Sequence, residues 1–287
     1  MTPIRAGRAL VSLWLLGGFL SLPGLASAQP AQQVSFQGKG HLILTGELIR
    51  PDGDGPFPAV IMMSGCSGMT ANYGTMSRAA KLLRESGYVT LMFDSYLPRL
   101  VMSNCADPAL VCRPLASKPP GKESPTVQER AEDALSARRY LASLPFVDSK
   151  RIGLVGWSHG AISALVAWER NLPLRGALPF AAVAAYYPCC SLGSPPKTTL
   201  GASTTAPLLI FAGERDDWCP AALCQAYAEE LARRQRPVSL TIYPGALHSF
   251  DGDYDGDYMG HKLGSDPVAT RDSLEKLLAF LDHALKS

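Results

Sequence analysis

The sequence predicts an α/β protein, a doubly wound and mostly parallel sheet with helices on both faces, in a single domain. Three observations carry that expectation. Short continuous apolar runs alternate with stretches of helical periodicity, the pattern of a parallel sheet covered by crossover helices. A Gly-x-Ser-x-Gly turn, Gly156-Trp157-Ser158-His159-Gly160, stands between one apolar run and one helical stretch. The chain has 287 residues, 47% hydrophobic and 18% charged with a net charge of +2, enough for one large core. That balance excludes a disordered chain, and no block of like charges is present to track a nucleic-acid backbone.

The N-terminus differs in kind from the rest. Arg5 and Arg8 precede an apolar run, Ala9 to Leu22, and then Pro23-Gly24 and Ala26-Ser27-Ala28. A charged start, a short apolar run and a small-residue cleavage site describe a secretory signal peptide over residues 1–28, cut before Gln29. The alternative is an uncleaved anchor, but the run is short for a membrane span and Pro23-Gly24 interrupts it. The expectation is therefore a secreted or periplasmic domain over residues 29–287, with no membrane segment after cleavage.

Within that domain His41–Ile49 reads as a strand, followed by the turn-rich Pro51 to Pro56. Phe57–Met63 is a strand apolar on both faces, ending at the small-residue loop Ser64-Gly65-Cys66-Ser67-Gly68. Met76, Ala79, Ala80 and Leu83 keep helical spacing, with Gly87 as the C-cap, and Tyr88–Phe93 is the next strand. Asp94 to Pro125 has no clear period and carries six prolines with Cys105 and Cys112; it reads as a lid or substrate-side wall. A helix bearing Val127, Ala131, Ala134, Leu135 and Leu141 leads to the strand before Ser158. Ala181–Tyr187 and Leu208–Ala212 are strands, separated by a Gly/Ser/Thr/Pro loop. Pro220–Arg233 is a helix, Val238–Tyr243 a strand, and Leu274, Leu277, Leu278, Leu281 and Leu285 stripe a closing helix.

In an oxidising compartment the seven cysteines become candidates for disulfides. Cys105–Cys112 and Cys219–Cys224 each close a short loop, while Cys189 or Cys190 can instead reach Cys219 or Cys224. An odd count leaves a thiol over. No Cys/His cluster has zinc spacing, so neither a metal nor another cofactor is expected. Asp251-Gly252-Asp253-Tyr254-Asp255-Gly256 begins like a calcium loop, but Lys262 stands where a bidentate Glu is needed; a solvated acidic loop is the expectation.

The chemistry gathers where the strands end. The serine of a Gly-x-Ser-x-Gly turn sits on a strained strand-to-helix bend, its hydroxyl exposed and the helix amides beside it. Past the strand Leu208–Ala212 comes Gly213-Glu214-Arg215-Asp216-Asp217-Trp218, and past Val238–Tyr243 comes His248-Ser249-Phe250. Ser158, Asp216 and His248 fall in the order nucleophile, acid, base that an α/β-hydrolase uses. A triad of this type needs a base to take the hydroxyl proton and a carboxylate to fix the imidazole tautomer. Asp217 competes with Asp216, and helix capping near Pro220 is the structural alternative for either. The amides of Cys66 and His159 are the expected oxyanion hole, with the Cys66 thiol not needed. Tyr96, Arg99 and Trp157 flank these strand ends and are the candidate substrate contacts, although Arg99 can equally brace its own loop.

Taken together, Gly65-Cys66-Ser67-Gly68, Asp94-Ser95-Tyr96-Leu97-Pro98-Arg99, Arg151-Ile152-Gly153 running into the Ser158 turn, Gly213 to Trp218, and His248-Ser249-Phe250 resemble the dienelactone hydrolase family, in its exported branch. The resemblance implies an α/β-hydrolase fold with Ser158 as nucleophile, Asp216 as acid, His248 as base, and Cys66 and His159 as oxyanion donors. It implies a small carboxylic ester or lactone as substrate. Ser158 replaces the cysteine nucleophile of the family's founding enzymes, and Pro220-Ala221-Ala222 stands where they carry a carboxylate-binding arginine, so dienelactone itself is disfavoured. The alternatives are a peptidase-like serine hydrolase, or a catalytically silent member that binds a ligand.

Overall fold

The structure is a computed structural model and describes residues 30–100, 125–170, 179–190 and 205–287. The expected signal peptide, the Cys105–Cys112 staple and most of the expected lid and of the Gly/Ser/Thr/Pro loop lie outside those residues. Among the described residues, eight strands form one sheet in the order β1-β2-β4-β3-β5-β6-β7-β8. They are β1 Gln32–Gln37, β2 Ile43–Ile49, β3 Phe57–Met63, β4 Val89–Asp94, β5 Val147–Trp157, β6 Ala182–Tyr186, β7 Leu208–Gly213 and β8 Val238–Tyr243. The pairs β1–β2 and β2–β4 are antiparallel, and every pair from β4 to β8 is parallel.

Strand β1 was not anticipated. Its sequence QQVSFQ buries only Val34 and Phe36 in alternation, as suits an edge strand with one face on the core. A two-stranded hairpin, β9 Gly256–Tyr258 with β10 His261–Leu263, follows the acidic stretch from Asp251 and was also not anticipated. A bridge from Leu263 to His248 ties this hairpin to the proposed base.

The pleat splits β3 between two cores. Ile61 and Met63 face one way, with α3 (Val127–Ala142), α4 (His159–Arg170) and α5 (Ala221–Arg233). Val60 and Met62 face the other, with α2 (Tyr73–Glu85) and α6 (Pro267–Leu285); a single turn, α1 (Gly68–Ala71), precedes α2. Burial on both faces is why β3 reads as an unbroken apolar run. The expected stripes are the buried ones: Met76, Ala79, Ala80 and Leu83 on α2, and Leu277, Leu281 and Leu285 on α6. Helix α3 starts with a capping box: Thr126 Oγ1 accepts from the Glu129 N–H at 3.2 Å, and Glu129 accepts from the Thr126 N–H at 2.9 Å.

Two disulfides hold the loop after β7 to the end of β6. Cys189 pairs with Cys219 and Cys190 with Cys224, at Cα separations of 4.5 and 4.9 Å. The expected Cys219–Cys224 bridge does not form. Cys189 reaches the loop before α5, and Cys190 reaches α5 itself. These bridges point to an oxidising compartment. Among the described residues no helix is long and apolar enough to cross a membrane.

Candidate active site

The turn between β5 and α4 is built by its glycines. A Cβ on Gly156 would collide with the carbonyl of Gly160, and one on Gly160 with the carbonyls of Met63 and Ser64. Only glycine lets the helix start so close to β3. Ser158 sits in the left-handed region at φ 50°, a conformation costing roughly 1–3 kcal/mol for a side-chain-bearing residue. Its N–H donates to the Tyr186 carbonyl at 3.0 Å, which helps hold it there.

Asp216 and His248 arrive on two loops whose backbones touch. A Cβ on Gly213 would run into the carbonyls of Ala246 and Leu247, so glycine is required where the β7 loop passes the β8 loop. The result is a buried chain of three side chains. His248 Nε2 is 3.0 Å from Ser158 Oγ, and His248 Nδ1 is 2.7 Å from Asp216 Oδ2. The other Asp216 oxygen, Oδ1, accepts from the N–H groups of Trp218 at 2.9 Å and Cys219 at 2.7 Å. Asp217 points elsewhere; its side chain is 50% exposed and lies 3.4 Å from His261. Trp218 packs on His248 and stacks on His261, and Tyr187 stands edge-on to His248, so aromatic rings enclose the imidazole.

Cys66 and His159 flank the serine. Gly65 brings its loop within 3.5 Å of Ser158 Cβ, measured from an added Cβ, and His159 opens α4 directly after Ser158. The Cys66 sulfur is in a disulfide, which removes it as a reactive thiol and leaves its backbone for any role beside Ser158. The His159 ring is turned inward. Burial, and then the nearby Arg130 cation, push its pKa well below the ordinary 6.5.

The three expected substrate contacts are placed otherwise. Trp157 is fully buried and donates Nε1–H to Asp251 Oδ2 at 2.8 Å. Tyr96 is fully buried, with its hydroxyl accepting from Arg130 at 2.8 Å. Arg99 grips Asp133 with both Nη atoms, at 2.8 and 3.0 Å, and donates to the Ser95 carbonyl at 2.7 Å. It braces the loop after β4 and does not reach for substrate. Asp251 is a further correction, because it is 3% exposed and not part of a solvated loop. It accepts from Trp157 and from the Tyr187 hydroxyl at 2.7 Å, while burial holds its pKa above the usual carboxylate range.

Open space lies beside Tyr187, the ring that stands edge-on to His248, and none of Ser158, Asp216 and His248 lines it. A cavity of 410 Å³ is lined by Ser67, beside Cys66, by Ser249, beside His248, and by Tyr187, Tyr254, Tyr258 and Leu263. Asp216, Cys219 and His248 lie close enough to suggest a metal site, but Cys219 is in a disulfide and both other groups already face partners.

The dienelactone hydrolase family model matches residues 44–285, nearly all of the described chain. The protein belongs to the dienelactone hydrolase family. Membership makes it a carboxylic ester hydrolase by class. A Bradyrhizobium protein named "Probable 2-oxo-3-(5-oxofuran-2-ylidene)propanoate lactonase" is 26% identical over 238 residues, 82% of this chain and 87% of that protein. Among solved structures, a dienelactone hydrolase-like promiscuous phosphotriesterase from metagenomic libraries aligns with a TM-score of 0.68 at 17% identity, covering 90% of this chain and 99% of that one. An esterase of Pyrococcus furiosus aligns at 0.63 and 19% identity, covering 89% and 93%. At these identities the two structures show a shared α/β-hydrolase fold.

Sequence reasoning missed Arg130, Tyr187 and Asp251. Arg130 left a signal: it lies three residues after Val127 and four before Ala134, on the apolar face of α3.

Proposed function

We propose that this protein cleaves a small carboxylic ester or lactone through an acyl-enzyme on Ser158. The observation that carries the reading is the buried Ser158–His248–Asp216 chain, with contacts of 3.0 and 2.7 Å. Asp216 Oδ2 accepts the Nδ1 proton of His248, which leaves Nε2 as the acceptor facing Ser158 Oγ. On attack, the Ser158 proton passes to Nε2 while the Oγ–carbon bond forms, and the imidazolium is stabilised by the Asp216 carboxylate. Oxyanion charge falls between the amides of Cys66 and His159, at the start of α4. The alkoxide leaves with the proton from Nε2. Water then gives its proton to the same nitrogen and attacks the acyl carbon; the Oγ–acyl bond breaks, Ser158 takes the proton back from Nε2, and the acid is freed.

The substrate occupies the 410 Å³ cavity beside Ser67 and Ser249, a volume suited to a small molecule. The Bradyrhizobium relative's lactonase name supports a lactone among the candidate substrates. Residues 1–28 direct export, in keeping with the two disulfides, and the working domain starts at Gln29. The test is steady-state turnover of short p-nitrophenyl esters and simple lactones by wild type and Ser158→Ala. Turnover lost in the variant is expected; no turnover of any ester or lactone by folded wild type contradicts the proposal.

A further inference from the structure

Beneath the turn that carries Ser158 lies a charge that the mechanism above does not use. Arg130 is 1% exposed, and its fork reaches the two segments that flank Ser158. Nη2 donates to the carbonyl of Ser64 at 2.7 Å, two residues before Cys66. Nη1 lies 2.7 Å from His159 Nδ1 and donates to the Tyr96 hydroxyl at 2.8 Å. Because the guanidinium only donates, His159 Nδ1 accepts, and the ring carries its proton on Nε2. Protonating that ring would set two donors and two positive charges against each other. Tyr96 completes the cage, its ring centroid 4.6 Å from the guanidinium carbon. The nearby carboxylate of Asp133 is already held by Arg99.

A buried arginine is costly unless its donors are satisfied. Here the Nη donors are spent on the Ser64 carbonyl, His159 Nδ1 and the Tyr96 hydroxyl, while Nε–H has no hydrogen-bond partner among the described residues. The capping box at Thr126 and Glu129 fixes the helix end that bears the arginine. We propose that Arg130 is a positioning residue for the oxyanion hole. It sets the separation and aim of the Cys66 and His159 amides and adds positive potential beneath the site where negative charge develops. The proposal rests on Ser158 being the nucleophile. An oxyanion forms only in the transition state, so losing Arg130 should lower kcat and leave KM nearly unchanged. A displacement of about 1 Å at such a site lowers rate by about 100-fold.

The experiment compares wild type, Arg130→Lys and Arg130→Met on one p-nitrophenyl ester, alongside nitrogen NMR of His159. Arg130→Met is expected to lose about 30- to 100-fold in kcat with KM within about twofold. Arg130→Lys keeps the charge but not the fork, so its kcat should fall between the two. The His159 Nδ1 signal should shift in both variants. If Arg130→Met is folded and keeps wild-type kcat, or loses rate only through KM, the proposal is overturned. If that variant does not fold, Arg130→Lys with wild-type kcat and an unmoved His159 signal overturns it equally. Failure of the underlying reading looks different: wild type itself would turn over no ester, while the His159 signal would still respond to Arg130.

Discussion

The ring of Tyr187 stands edge-on to that of His248, centroids 4.7 Å apart at 61°, and its hydroxyl donates to buried Asp251 at 2.7 Å. The imidazole is thus backed by a phenol that a carboxylate holds in place. Asp251 also receives Trp157, the last residue of β5, so one side chain ties the strand before Ser158 to the wall behind His248. Asp251→Ala would strand two buried donors. The expected loss is about 2–6 kcal/mol, at about 1–3 kcal/mol per orphaned group. Urea unfolding should show a lower midpoint at unchanged slope; an unchanged midpoint would show that these hydrogen bonds contribute nothing.

Asp216 and Asp217 are adjacent in sequence and opposite in environment. Asp216→Asn should reduce kcat by about 10⁴-fold, because an amide facing Nδ1 stabilises the wrong tautomer. Asp217→Asn should stay within about twofold, since the carboxylate is half-exposed and lies beside His261, away from His248. Steady-state kinetics of the two variants checks this, and a larger loss at Asp217 reverses the assignment.

His159 makes stability depend on pH with a definite sign. Its folded pKa is held well below 6.5 by burial first and Arg130 second, so below 6.5 the unfolded chain binds a proton that the native state refuses. The stabilisation is fully present above 6.5 and is lost as pH falls toward the folded value, at no more than about 1.4 kcal/mol per pH unit. His159→Gln should flatten that acid limb in denaturant titrations at several pH values. An identical slope in variant and wild type would remove His159 as its source.

The Cys189–Cys219 and Cys190–Cys224 disulfides bear on Asp216 as well as on stability. Cys219 gives its N–H to Asp216 and its sulfur to Cys189, while Cys190–Cys224 closes a loop of similar length. Reduction, which also opens the disulfide at Cys66, should lower stability by about 2–5 kcal/mol and depress kcat as the loops bearing Asp216 and Cys66 loosen. Thermal unfolding and turnover with and without reductant give the answer; reduced protein with full kcat and the same Tm would contradict it.

Much of the fold was legible because it is written in local periodicity. Phe57–Met63 and Val238–Tyr243 are strands over the expected residues, and the α2 stripe is the buried one. The turn that carries Ser158 was legible for a steric reason, since Gly156 and Gly160 mark where backbone meets backbone. What stayed hidden depends on partners far along the chain. Asp251 read as solvated because carboxylates usually are; its donor Trp157 lies 94 residues away. Arg130 is matched to acceptors 66 and 29 residues distant, and the cysteine pairing follows from where β6 ends. Strand β1 was hidden by its glutamines, which leave only two apolar residues to show its alternation.

The central claim is that Ser158 attacks and carries the acyl group. The most direct measurement treats folded wild type and His248→Ala with a fluorophosphonate and locates the adduct by peptide mass spectrometry. Stoichiometric labelling of Ser158 in wild type, and its near absence in His248→Ala, is the predicted result. An unlabelled Ser158 in folded wild-type protein, or equal labelling of both, would contradict it.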